Sequence, residues 1–187
     1  MSKKCISILV LLTITCCCLF ASESILGIRF DYSLQKVDIK KTATGAERGF
    51  SDYGIGGGIS VSHVFKSKLV VGAEICLNMY SYAKSGYDGT YYFTLDFMLK
   101  GGYKVYLNKL SITTSAIAVF DYRHFGEKKG SFPGVGLEAL VSYALDDKFD
   151  LGLGTQFQMV FNKAKNDSYG GENNMAIRVY IALGVKV

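Results

Sequence analysis

Apolar and polar residues alternate strictly along residues 174–187, the last stretch of the chain. The odd positions are apolar from Met175 to Val187, whereas the even positions include Arg178 and Lys186. Successive side chains of a β-strand point to opposite faces, so the pattern predicts a strand with one continuous apolar face. The stretch is also long enough to cross a bilayer, which takes about 9–11 residues of a tilted strand.

The same alternation recurs along most of the chain, and it is weakest in the fifth run, where Ile117 and Val119 occupy the otherwise polar parity. No stretch shows the sustained 3.6-residue period of a helix. The pattern therefore predicts an all-β protein with eight strands. The alternating runs cover residues 26–34, 53–65, 69–79, 91–103, 110–122, 135–143, 149–161 and 175–187.

The connections between these runs alternate in length. Short polar turns are predicted at 66–68, 107–109 and 146–148, and longer loops at 35–49, 81–89, 125–131 and 163–173. Hairpins with every longer loop at one end describe an up-and-down antiparallel barrel. Short periplasmic turns and longer external loops are typical of outer-membrane barrels. The predicted fold is therefore an eight-stranded up-and-down antiparallel transmembrane β-barrel.

The composition of the polar face indicates which face points outward. The exterior of a soluble barrel would be rich in Lys, Glu and Thr, but here the polar face is mostly Gly, Ser and Ala. An eight-stranded barrel has room inside only for side chains, which small residues and a few charges can fill. We therefore expect the apolar face to contact lipid. The alternative is a soluble periplasmic, lipocalin-like ligand-binding barrel with its apolar face inward.

Aromatic residues of the apolar parity collect towards the strand ends. Aromatic rings prefer the headgroup level of a bilayer, so they predict two girdles flanking an aliphatic band. The predicted girdles are Tyr32, Tyr53, Tyr91, Tyr122 and Phe161 at the upper rim, next to the longer loops, and Phe65, Tyr103, Tyr143 and Phe149 at the lower rim.

Charged residues of the polar parity form the candidate functional set. A single buried charge is costly, so we expect these side chains to pair across the barrel. They would form either a polar plug that closes the interior or a narrow, gated path for water or ions. The predicted interior network is Arg29, Asp31, Glu74, Asp96, Lys100, Asp121, Arg123, Glu138 and Arg178.

The N-terminal residues have the organisation of a secretory signal. Lys3 and Lys4 precede an apolar segment at 6–20, and Ala21 offers a small residue for cleavage. We therefore predict a signal peptide at 1–21 and a barrel domain at 22–187. Lipid attachment at Cys16, Cys17 or Cys18 is the alternative processing. Only Cys76 lies in the barrel domain, which excludes an intramolecular disulfide there.

Other chemistry has little support in the residues. The glycine run at 54–58 continues as a strand, whereas a phosphate-binding loop needs a helix after the glycines. His63, His124 and Cys76 lack metal-ligand spacing, so neither metal nor cofactor is expected, and no catalytic set stands out. The net charge of +5 is mild and dispersed, which argues against nucleic acid as a partner.

With these features the chain resembles the small eight-stranded outer-membrane barrels of the OmpA, OmpX and OmpW type over residues 22–187. The resemblance rests on the signal peptide, the eight amphipathic strands, the loop lengths and the terminal strand. It implies a non-enzymatic structural or surface-interaction role through external loops. A narrow pore for small hydrophobic compounds or ions is the alternative.

The resemblance also implies partners: the lipid of the outer membrane, the barrel-assembly machinery and a host or matrix ligand at the loops. Such chains typically end in an aromatic residue, whereas this chain ends in Val187. This difference implies either a variant assembly signal or a less typical bacterial lineage.

Overall fold

A computed structural model describes the chain at residues 21–39, 48–81, 91–125, 128–161 and 173–187. Within these ranges the side chains of residues 21, 35–39, 48–52, 91–92, 124–125, 128–129 and 173–174 are not described. The predicted signal peptide, apart from Ala21, therefore lies outside the described residues, and so do the cysteines at 16–18. In the described part of the chain, no helix is long and apolar enough to cross a membrane.

The described residues form a closed barrel in which each strand is antiparallel to its neighbours in sequence. The last strand pairs with the first, for example Leu183 with Ile28, which closes the sheet. The predicted fold class is confirmed. The strands are β1 (Ala21–Ile39), β2 (Arg48–Phe65), β3 (Leu69–Ser81), β4 (Tyr91–Leu107), β5 (Leu110–Phe125), β6 (Lys128–Ala144), β7 (Phe149–Phe161) and β8 (Asn173–Lys186).

The short connections follow the second, fourth and sixth strands, as predicted. Two of them use a residue with positive φ, at Lys68 (67°) and Asn108 (59°). Such backbone geometry costs little for Asn, and Lys68 is held by a hydrogen bond from its amide to the carbonyl of Phe65 at 2.8 Å. These tight turns define the lower end of the barrel.

The predicted long loop at 125–131 is wrong. β5 runs to Phe125 and β6 starts at Lys128, with Phe125 paired to Lys128 and Tyr122 to Ser131. The two consecutive lysines at 128–129 interrupt the apolar alternation and therefore resemble a loop in the sequence. Above the membrane, however, a strand needs only its backbone partner, and both of its faces can be polar.

The predicted first loop at 35–49 is also too long. β1 continues to Ile39 and β2 starts at Arg48, and the ladder pairs Ile39 with Arg48. The alternation ends near Leu34 because the two strands continue above the apolar layer of the membrane. There an outward side chain no longer needs to be apolar. Both misplaced boundaries therefore have the same cause.

The apolar parity of every strand faces outward. Ile28, Leu153 and Ile181 are 53%, 60% and 56% exposed, whereas Arg29 and Arg178 on the other parity are 3% and 2% exposed. A soluble barrel would have the opposite arrangement, so the lipocalin-like alternative is excluded. The structure is a transmembrane barrel whose apolar exterior matches a bilayer.

Large side chains fill much of the interior, which the sequence interpretation did not foresee. Tyr80, Met98 and Tyr180 are almost completely buried in the lumen. Ile117 and Val119, which broke the alternation, also point inward, where they form an apolar cluster with Met98 and Cys76. Small residues on the polar faces leave space for these few large ones.

The glycine run of β2 shows how that space is made. A Cβ atom at Gly54 would meet the Tyr80 ring, and one at Gly58 would meet Cys76 Sγ. The inward glycines are thus a flat surface over which side chains of β3 lie. This close packing explains a motif that only superficially resembles a phosphate-binding loop.

Candidate functional site

Five charged side chains meet halfway down the lumen and are here named the middle cluster: Arg29, Asp31, Glu74, Lys100 and Glu138. The guanidinium of Arg29 lies 2.6 Å from Asp31 and 2.6 Å from Glu74, and 3.7 Å from Glu138. Lys100 Nζ lies 2.5 Å from Glu74 and 2.6 Å from Glu138. Since these residues come from β1, β3, β4 and β6, the cluster connects opposite walls of the barrel.

Uncharged side chains extend the contacts of the middle cluster to β7 and β8. The Cζ atom of Arg29 lies 4.0 Å from the ring centroid of Tyr180 on β8. Gln156 on β7 accepts a hydrogen bond from Arg29 at 3.3 Å and donates one to Glu138 at 3.2 Å. Gln158 donates in turn to Gln156 at 2.9 Å. The partners of Arg29 therefore come from five strands, namely β1, β3, β6, β7 and β8.

The other four predicted charges lie closer to the upper end and are named the upper cluster: Asp96, Asp121, Arg123 and Arg178. Arg178 forms an ion pair with Asp96, and Arg123 lies 2.6 Å from Asp121. Asp96 and Asp121 are direct cross-strand partners of β4 and β5. Two neighbouring carboxylates would repel each other, and one arginine compensates each of them.

The structure thus places all nine predicted charges in the lumen and brings them together in two groups. Each of the nine has a partner of opposite charge within 4 Å. In the middle cluster three carboxylates face two cations, and in the upper cluster the charges balance.

A third group, the lower cluster, was missed from the sequence: Glu23, Lys104, Tyr106, Asp150 and Lys186. Lys186 Nζ lies 2.9 Å from Asp150, Lys104 Nζ lies 3.6 Å from Glu23, and the Tyr106 hydroxyl donates to Glu23 at 2.7 Å. Parity along β4, β7 and β8 could have found Lys104, Asp150 and Lys186. Glu23 shares the odd parity of Arg29 and Asp31 on β1, but it lies before the alternating run at 26–34 that was recognised in the sequence.

The lumen is hollow between the middle and lower clusters. A cavity of about 100 Å³ lies there, large enough for several water molecules. Lys100, Lys104, Glu138 and Asp150 border it, and much of the remaining lining consists of small residues. The small polar residues of the lining include Ser60, Ser62, Ser115 and Ser142. Side chains therefore fill the lumen above the middle cluster, whereas a cavity remains below it.

The predicted girdle residues lie on the outward face where their side chains are described. Phe65 is half-buried, the side chain of Tyr91 lies outside the described residues, and the others are exposed: Tyr32, Tyr53, Tyr103, Tyr122, Tyr143, Phe149 and Phe161. The band between the girdles is not purely aliphatic as expected. It also exposes aromatic rings, at Phe30, Phe97 and Phe120.

The residues considered for metal binding do not come together. Cys76 is buried in the lumen and its thiol donates to Glu74 at 2.9 Å. His63 lies on the outward face, where its Nδ1 atom is 2.8 Å from the hydroxyl of Ser24. The side chain of His124 lies outside the described residues. Among the described residues, no three His, Cys, Asp or Glu side chains are grouped to hold a metal ion.

Comparison with known proteins gives matches of fold only. No protein-family model and no curated protein matches the sequence. Neisserial surface protein A is similar in structure, with a TM-score of 0.63, 14% identity, and coverage of 88% of this chain and 97% of that one.

Two further solved structures are similar over the same extent. Ail of Yersinia pestis, solved with the heparin analogue sucrose octasulfate, has a TM-score of 0.57 and 13% identity over 88% of this chain and 98% of its own. OprG of Pseudomonas aeruginosa has a TM-score of 0.58 and 13% identity over 89% and 97%. The chain therefore has the fold of the small eight-stranded outer-membrane β-barrels.

Proposed function

We propose that the protein is an integral outer-membrane barrel with a structural or surface-interaction role and no catalytic one. The observation that carries this proposal is the middle cluster. Arg29 links Asp31 and Glu74 to Glu138 on the far wall, and Gln156 and Tyr180 occupy the remaining space around it. A lumen closed in this way leaves the surface as the place of function.

The placement in the outer membrane is supported by the continuous apolar exterior and by the fold it shares with outer-membrane proteins. The proposal includes removal of a signal peptide at 1–21 and insertion by the barrel-assembly machinery. Its test is fractionation of cells that make the full chain. We expect the protein in the outer-membrane fraction, with a faster gel mobility before heating than after. A protein that is soluble without detergent would contradict the proposal.

The interaction surface is assigned to the connections 40–47, 82–90 and 162–172, which lie outside the described residues. In the first of them Lys40 and Lys41 are followed by Arg48, with Glu47 as the only acidic residue. Ail has been solved with a heparin analogue. A sulfated polysaccharide is therefore a suitable first probe for a matrix ligand of this protein.

The experiment measures retention of heparin by the purified barrel in detergent. We expect the double variant Lys40→Ala and Lys41→Ala to lose most of the binding. The matched control is Lys109→Ala with Lys148→Ala, which removes the same charge from exposed turns at the opposite end. Equal loss in both double variants would indicate a general charge effect and would contradict a loop site.

A narrow pore is the second candidate, for ions or small hydrophobic compounds. It is favoured by the cavity of about 100 Å³ below the middle cluster and by the fact that side chains alone close the path above. Planar-bilayer recordings separate the two candidates. Conductance of the wild type that changes in Arg29→Ala and Glu138→Ala would establish the pore, whereas a silent wild type supports the closed barrel.

A further inference from the structure

The outward face of the barrel carries a pair of neighbouring polar side chains near its lower end. Ser24 of β1 and His63 of β2 are cross-strand partners on this face, and they lie 2.8 Å apart through Oγ and Nδ1. At the lower ends of β3 to β8 the described outward residues are apolar or aromatic, with Thr114 as the exception. Those apolar residues are Leu69, Val71, Tyr103, Val105, Leu110, Ile112, Val141, Tyr143, Phe149, Leu151 and Leu183.

The turn next to this polar pair is cationic. Lys66, Ser67 and Lys68 connect β2 to β3, and all three are exposed. In the described part of the chain, neither lysine forms an ion pair with a carboxylate. The β6–β7 turn lacks this excess of positive charge, because the acidic residues Asp146 and Asp147 lie beside its lysine. Positive charge that no neighbouring acid neutralises is therefore concentrated at the β2–β3 corner.

The two features lie at the same level of the barrel. His63 is two residues from the end of β2 at Phe65, which is about 7 Å along a strand. Lysine side chains are long enough to reach back over such a distance while their ammonium groups stay in the polar layer. Phe65 and Tyr103 belong to the predicted lower girdle, and aromatic girdles lie at headgroup depth. An anion at that depth can meet both lysines and the Ser24–His63 pair.

We propose that the β2–β3 corner, consisting of Ser24, His63, Lys66 and Lys68, binds the phosphate of an anionic phospholipid in the leaflet at the short-turn end. The acyl chains of that lipid would lie along the exposed side chains of Val71, which is the cross-strand partner of His63, and of Val61, which lies two residues further up β2. The positive charge complements a phosphate, and the adjoining apolar surface can contact acyl chains. Together they identify a lipid, since a free phosphate has no acyl chains to contact that surface. The inference rests on the proposed membrane placement.

The test is native mass spectrometry of the delipidated barrel in detergent, titrated with phosphatidylglycerol. A lysine near an anionic surface contributes about fivefold in affinity, so Lys66→Ala with Lys68→Ala should weaken retention about 25-fold. His63→Leu, which makes this part of the face apolar like the rest, should weaken it about fivefold. The control Lys109→Ala with Lys148→Ala should retain the lipid like the wild type.

Three results would overturn the proposal. They are unchanged retention in the Lys66 and Lys68 variant, an equal loss in the control, and displacement of the lipid by millimolar inorganic phosphate, which would indicate a simple anion site. Each variant is also checked for heat-modifiable mobility. A wild-type protein that is soluble without detergent would overturn the membrane placement itself. Loss of lipid binding at the β2–β3 corner alone would leave the membrane placement intact.

Discussion

The guanidinium of Arg29 stacks on the ring of Tyr180, with its Cζ atom 4.0 Å from the ring centroid. The same ring lies over Gly154, where a Cβ atom would come within 2.2 Å of the ring atom Cζ of Tyr180. A glycine on β7 and a cation from β1 therefore both contact a ring from β8, and the three are named the Tyr180 stack. The absence of a side chain at Gly154 positions the cation of the middle cluster.

Arg29→Ala should destabilise the barrel strongly. The guanidinium is 3% exposed and is the main partner of Asp31 and one of two cations beside Glu74. Removing one member of a buried ion pair leaves an uncompensated charge and costs about 3–5 kcal/mol. Urea unfolding in lipid vesicles measures the loss. The exposed turn variant Lys109→Ala should stay within about 0.5 kcal/mol of the wild type, and an equally small effect of Arg29→Ala would show that the middle cluster does not stabilise the fold.

Gly154→Ala should cost about 1–3 kcal/mol because the added methyl group displaces the Tyr180 ring and disturbs Arg29. Gly101 is the matched control, since a Cβ atom there meets nothing within 4 Å. Gly101→Ala should be neutral or slightly stabilising. The comparison uses the same unfolding assay, and equal effects at both positions would argue against the stack.

Ile181→Arg tests the assignment of the lipid face. Ile181 is 56% exposed and is paired with Phe30 and Leu153, which are also apolar and exposed. An outward arginine near the bilayer midplane costs about 2–4 kcal/mol. Folding yield and unfolding free energy in vesicles give the result, with Ser67→Arg in an exposed turn as the tolerated control. A barrel that accepts arginine at Ile181 without loss would contradict the predicted depth.

Asp146 predicts a pH dependence outside the membrane. Its Oδ1 atom accepts hydrogen bonds from the backbone amides of Lys148 at 2.7 Å and Phe149 at 2.8 Å. These bonds, that of Lys148 first, lower the pKa of the Asp146 carboxyl in the folded protein. Because the folded-state pKa is the lower one, the stabilisation is complete above the unfolded pKa of about 3.9 and is lost as the pH falls through the folded value.

The stability difference between the wild type and Asp146→Ala should therefore be largest at neutral pH and shrink below about pH 4. Unfolding midpoints between pH 3 and pH 7 measure it. Asp147→Ala is the control, because the carboxylate of Asp147 makes no hydrogen bond to the described part of the chain. A difference for Asp146→Ala that grows on acidification would contradict the assigned sign.

The strand count, the faces and the antiparallel order were predictable from residues such as Ile177 and Arg178. A strand has a period of two, so alternation alone tells which side chains share a face. The strand ends at Ile39 and Lys128 were not predictable. There the strands leave the apolar layer, and the polarity of a residue no longer reports its orientation.

The sequence by itself determined the barrel class and the nine inward charges, because both follow from local periodicity and from the cost of burying an unpaired charge. Only the tertiary structure decided which of these charges meet. The register and closure of the sheet bring Arg29 to Glu138 across the lumen, keep Arg178 with Asp96 above them, and add the lower cluster around Glu23. These partners are far apart in the chain, and no local pattern specifies distances across a barrel.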